Sequence, residues 1–244
     1  MSIYTSFDMI ADCKAGKPEG AVHLVKHLLP PLRWLHRHYG LSEPDLALVL
    51  KQTAAIEPMN ERRFVAHFRP EPPLNQSTLD LETIVEAFGE LTLVERQIVW
   101  LDTMAYETPD AARHLRISAE TAQKARDKAG ALLRSKLDDW SITILRENGA
   151  HLGRQARAAA PAETVPFHDY IEIIDGRMTW QSRTPIERAL ADSWHEIDHL
   201  CRVREADAAK SETKPLTDDQ SRPILAGLGV TPPKPPFLKR LFGK

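Results

Sequence analysis

The chain has 244 residues, 42% of them hydrophobic and 27% charged, with 18 prolines and a formal net charge of -2. That length suits one domain or two small ones with buried cores, and the prolines argue against a single continuous domain. The charge excludes a uniformly basic nucleic-acid binder, so any DNA contact has to come from a local patch. Cys13 and Cys201 lie far apart and neither sits in a CxxC pair, which leaves no disulfide framework. No apolar run approaches the roughly 20 residues of a membrane span, and the N-terminus lacks a charged segment followed by an apolar one. The expectation is an unexported, cytoplasmic protein without stable membrane insertion.

Residues 7–39 carry apolar side chains at helical spacing, interrupted at Gly16-Lys17-Pro18 and Pro30-Pro31. They predict a short helix, a turn, and a helix bent at its proline pair. Ser42 is the expected N-cap of a helix from Glu43 to about Ile56, with Leu46, Val49 and Leu50 on its buried side. The segment 60–76, which holds Arg62, Arg63, Phe64 and Phe68, reads as a short helix followed by a proline-containing linker.

A second helical set begins at residues 78–89, where Leu81, Ile84, Val85 and Phe88 recur at three and four residues. Thr92 and Glu95 form a T-x-x-E capping box for the next helix, which buries Val94, Ile98 and Leu101. Thr108 is the expected cap of a short helix with Pro109 in its first turn and Asp110 facing the positive end of the helix dipole. Ser118 caps a longer one, with Glu120 in its first turn.

Two helices joined by so tight a turn have the form of a helix-turn-helix, whose second helix enters a DNA major groove. Between residues 118 and 137 the bases Lys124, Arg126, Lys128, Arg134 and Lys136 stand against Glu120 and Asp127, a local charge of +3. On that geometry Ala119, Glu120, Gln123 and Lys124 face bases, while Arg126, Lys128 and Arg134 hold phosphates.

The stretch 91–137 resembles region 4 of the sigma-70 family, and is most similar to the extracytoplasmic-function sigma factors. The resemblance is carried by Leu91, Glu95-Arg96, Val99, Leu101, Tyr106, Asp110, Ala112, Leu115, Ile117-Ser118, Thr121, Lys128-Ala129, Leu133-Arg134 and Leu137. A fainter similarity to region 2 covers the first 60 residues, through Gly16-Lys17, Ala21 and Val25. It implies promoter binding, core RNA polymerase as a partner, and an anti-sigma or other regulatory protein as a further one. Ala125 and Gly130 stand where the family usually has arginines. The aromatic and basic residues that melt promoters in that family are reduced to Arg62, Arg63, Phe64 and Phe68. The alternatives are therefore a DNA-binding regulator without promoter melting and a helical interaction adaptor.

Further on, residues 149–166 read as a low-complexity linker, and the run YIEIIDGRMTWQSR predicts a β-hairpin turning at Asp175-Gly176. A helix capped by Thr184, with Pro185 at its first position, follows. Its WHEIDHLC segment satisfies H-E-x-x-H, the spacing that lets two histidines bind zinc. However, Ile186, Leu190, Trp194, Ile197 and Cys201 fall on one apolar stripe, which turns His195 and His199 toward solvent. A solvated polar face is expected, with a non-catalytic zinc site at His195, His199 and Cys201 as the alternative. Residues 208–236 read as a flexible tether, ending in the basic-apolar tip PPFLKRLFGK, which suits a partner groove or an anionic membrane surface.

The expected fold is thus mainly α. An N-terminal helical bundle (1–70), a linker (71–77) and a helix-turn-helix domain (78–148) precede a linker (149–166), a β-hairpin plus helix (167–209) and a tail (210–244). No credible catalytic set is present, and no cofactor other than that alternative zinc is implied.

Overall fold

The computed structural model describes residues 3–74, 78–137 and 141–232. All regular structure among them is helical, and it separates into two compact units, residues 1–70 with 209–244, and residues 71–208.

In the first unit Thr5 caps α1 (Ser6–Lys14) in a reciprocal box with Asp8, and Tyr4 Oη donates to Asp12 at 2.7 Å. Helix α2 (Pro18–His23) starts on its proline and widens into a π-helical turn, Leu24–Leu28, before α3 (Leu29–His38). Gly20 permits the close α1–α2 approach, because a Cβ there would stand 2.7 Å from Cys13 Sγ. The core is Met9, Ile10, Leu24, Leu28, Leu32, Leu35, Phe64 and Val65, all fully buried. Helices α4 (Leu46–Thr53) and α5 (Glu61–His67) are capped by Asp45 and Asn60. Asp45 rather than Ser42 begins α4, so that helix is shorter than its periodicity predicts.

Pro30 lacks an N–H, which leaves the Lys26 carbonyl without its helical donor. Leu216 N–H fills that role at 2.9 Å. Just beyond, Thr217 forms a capping box with Gln220 and opens α14 (Asp218–Gly227), whose Leu225 is buried against Ala21, Val25 and Leu29. Residues 216–230 are therefore not the expected tether. Their few apolar side chains, Leu216, Ile224, Leu225, Leu228 and Val230, meet a groove formed by the start of the chain. The tip 233–244 lies outside the described residues.

The second unit begins with α6 (Leu81–Gly89), capped by Asp80, and α7 (Leu93–Thr103), where the Thr92–Glu95 capping box is present. Next come α8 (Thr108–Leu115), α9 (Ala119–Lys136) and α10 (Ile142–Ala158). Helix α10 continues through 149–158, where the sequence predicts a linker. Its Gly149 presses on α7 so closely that a Cβ would sit 1.8 Å from the Thr103 carbonyl oxygen.

The predicted β-hairpin is absent among the described residues. Phe167–Asp175 is helix α11, and Tyr170, Ile173 and Ile174 are buried at the i, i+3, i+4 spacing of a helix. Gly176 adopts a left-handed φ of 65° and ends α11, with Arg177 N–H bonding the Glu172 carbonyl at 3.0 Å. A glycine in that conformation serves a helix C-terminus as well as a hairpin turn, so the Asp-Gly pair was ambiguous.

Helix α12 (Trp180–Asp192) starts at the Thr179 cap, five residues before the predicted cap at Thr184, and carries Pro185 in its interior. An extended Ser193 then separates it from α13 (Trp194–Glu212). The break invalidates a single helical wheel over 184–201. His199 is half-buried beside Tyr170, not turned to solvent.

Candidate functional site

The candidate surface is α9 and the elements that set it in place. Arg116, left-handed with φ 56°, closes α8; its N–H bonds Arg113 O and the next N–H, of Ile117, bonds Ala112 O, both at 3.1 Å. Three residues later α9 begins, with Ser118 Oγ accepting from Thr121 N–H at 3.1 Å. At the start of α8, Glu107 occupies the cap and Thr108 is the first helical residue, so the helix begins one position earlier than predicted. Ala111, Ala112 and Leu115 of α8 and Ala122, Ala129 and Leu133 of α9 are buried, and fully buried Trp100 and Leu101 of α7 add to this core.

The remaining face of α9 is exposed and includes Ala119, Glu120, Gln123, Lys124, Lys128 and Arg134. Lys124 pairs with Glu120 at 2.7 Å, and Lys128 reaches Glu95 Oε1 at 2.8 Å. Gln123 Nε2 donates to Asp127 Oδ1 at 2.8 Å, and its carbonyl oxygen accepts from Thr108 Oγ1 at 3.1 Å. The Lys124–Glu120 pair, exposed on both sides, contributes about 0–1 kcal/mol and exchanges readily for another polar partner, whereas Lys128 sits on the buried Glu95 carboxylate.

Arg126 departs from the expectation. Its guanidinium turns inward, paired with Asp102, bonded to Thr108 Oγ1, and 3.2 Å from the Tyr106 carbonyl. Asp102 is 2% exposed. Burial lowers the pKa of Arg126, and Asp102 supplies the compensating charge. Arg126 therefore ties α9 to α7 and to the start of α8, and is not placed to hold a phosphate.

Behind this layer α13 is fastened by buried polar bonds that no sequence pattern announced. Trp100 Nε1 donates to Asp198 at 3.0 Å, Tyr106 Oη donates to Glu205, and Arg204 donates to Gln97 Oε1 at 2.7 Å and His114 O at 3.0 Å. Burial brings Arg204 down to about 10. Tyr170 Oη and Val165 N–H donate to Glu196 Oε2. No local pattern could show these pairings, because the partners lie tens of residues apart.

The rings of His195 and His199 lie 4.3 Å apart, tilted by 39°, but His195 Nδ1 lies 3.2 Å from Arg157 O and His199 Nδ1 lies 3.0 Å from His195 O. Burial lowers the pKa of His199. Cys201 is fully buried. Among the described residues no three His, Cys, Asp or Glu side chains converge on a metal position, and His195, His199 and Cys201 form no such group. None of the described helices is long and apolar enough to cross a membrane.

No family model, curated protein or solved structure matches the chain.

Proposed function

We propose that this protein binds duplex DNA sequence-specifically through α9 and acts in transcription as a sigma-factor-like protein. One observation carries the reading. A well-capped helix follows its neighbour after a three-residue turn, is anchored through one apolar face, and leaves Ala119, Glu120, Gln123 and Lys124 exposed at its N-terminal end. Such a face meets base edges in a major groove, and Gln123 suits the paired donor and acceptor of an adenine edge. Lys128 and Arg134, further along the exposed face, hold phosphates. The resemblance of residues 91–137 to sigma region 4 extends the reading to promoters and to core RNA polymerase.

A second reading, a DNA-binding regulator that does not open promoters, is favoured by Phe64. That side chain is fully buried and packs on Phe68 at 4.5 Å, so it serves the core of its own unit instead of an unpaired base. In neither reading is the protein an enzyme.

The test is selection of duplexes from a random pool, followed by affinity measurements with Gln123→Ala and Lys124→Ala. Gln123→Ala should relax preference at one base pair by about 1–3 kcal/mol. Lys124→Ala should likewise relax preference at a neighbouring base pair, and the lost cation should reduce the salt dependence by about one unit of slope. Unchanged affinity and preference in both would remove α9 as the reading element. Co-purification with core polymerase and single-round transcription separate the two readings, since only a sigma factor supports promoter-specific initiation.

A further inference from the structure

The corner between α11 and α12, residues 176–179, is held beside the turn that leads into α9. Arg116, two residues before the α9 cap, donates to Ile174 O at 2.7 Å and to Asp207 Oδ2 at 2.8 Å, and lies 3.7 Å from Asp175. Arg177 returns to the same Asp175 at 3.0 Å. One carboxylate thus lies between an arginine of the α8–α9 turn and an arginine of the corner, so the surface is continuous from one to the other.

Beyond this corner α12 is scarcely packed. Of its 13 residues only Leu190 is buried. Trp180, at its first position, is 78% exposed, with Arg177 and Arg183 nearby at 61% and 46%. An indole left in water contributes nothing to the core, and exposed aromatic and arginine side chains are enriched at contact surfaces. The chemistry also selects the partner. Guanidinium groups and the indole N–H donate hydrogen bonds and accept none, so their complement is a surface of acceptors. Phosphodiester oxygens are such a surface, and they carry the opposite charge.

We infer that this corner is a second DNA contact, gripping the sugar-phosphate backbone beside the groove that α9 enters. Arg177 and Arg183 bind phosphates, exchanging their exposed pairs with Asp175 and Glu187, and Trp180 Nε1–H donates to a phosphate oxygen. The inference rests on the DNA-binding reading of α9 and adds to it grip without sequence information.

The test uses the full-length chain and a duplex selected by it, with affinity measured by fluorescence anisotropy over a salt series. Arg177→Gln with Arg183→Gln should lower the slope of log affinity against log salt by about 1.8, leaving base preference unchanged. Trp180→Ala should weaken binding several-fold without altering the slope. Arg177→Lys with Arg183→Lys keeps the charge and should keep the slope. That control, together with wild-type melting temperatures, separates loss of contact from loss of fold. Wild-type affinity and slope in the glutamine and alanine variants would overturn the inference while leaving α9 intact as a reader. Equal losses in the lysine and glutamine variants would overturn it too. Failure of the wild-type chain to select any duplex would instead sink the reading of α9, and this inference with it.

Discussion

Gly149→Ala tests how tightly the scaffold behind α9 is set. In an exposed helix interior this change stabilises by about 1 kcal/mol, because alanine loses less backbone entropy on folding. Here the added Cβ would stand 1.8 Å from Thr103 O and 2.8 Å from Thr103 C, where ordinary contact begins at 3.4 Å. The obstructing atoms are backbone in the last turn of α7 and cannot rotate away, so α7 and α10 must separate by more than an ångström. Overpacking of this kind costs about 3 kcal/mol or more, leaving a net loss of about 2 kcal/mol. For a unit of this size that lowers the melting temperature by roughly 5–10 °C. Gly130→Ala is the matched control. Its Cβ would meet only the flexible end of Arg134, at 3.3 Å, so the helix-propensity gain should survive and raise stability by about 0.5–1 kcal/mol. Differential scanning calorimetry of the two variants decides. Gly149→Ala melting at or above the wild-type temperature would refute the close α7–α10 approach.

Other consequences follow from buried charge. Arg126→Ala leaves the Asp102 carboxylate buried without its cation and should cost about 3–5 kcal/mol, whereas replacing both by apolar residues of similar size should cost far less; a double-mutant cycle by chemical denaturation measures the coupling. Tyr170→Phe removes a donor from Glu196, which is 1% exposed, and should destabilise by about 1–3 kcal/mol. In the first unit Glu61 is held at about 2, below its ordinary 4.5, by His23 at 3.4 Å and by Lys210. A depressed folded pKa gives stability that is complete above the unfolded value and is lost as pH falls from about 5 toward 2, here about 2–3 kcal/mol. Glu61→Gln should therefore be less stable than wild type at neutral pH, and the difference should vanish near pH 2; a constant difference across that range would exclude the linkage.

Local signals in the sequence sufficed wherever a helix is defined by its own residues. Thr92 with Glu95 and Ser118 with Thr121 mark helix starts through bonds that span three positions, and the structure contains both. The apolar spacing of residues 81–88 gave α6 and its buried side, except that Val85 is exposed. Among the proposed contact residues, Ala119, Glu120, Gln123, Lys124, Lys128 and Arg134 share the exposed face that their order on a helix implies.

What the sequence left open depended on partners distant along the chain. Arg126 is as basic as Lys128 in a composition count, yet only the fold brings it to Asp102, and a buried carboxylate outcompetes water for the guanidinium. The Asp175-Gly176 pair fits a hairpin or a helix end equally well, and burial of Tyr170, Ile173 and Ile174 decided for the helix. Residues 216–230 hold too few apolar side chains to fold by themselves. They are ordered because Pro30 frees the Lys26 carbonyl for Leu216, and because Ala21, Val25 and Leu29 offer Leu225 a groove. Caps and periodicity are short-range and can be read from the chain, whereas desolvation depends on which surfaces meet, and that only the tertiary structure decides.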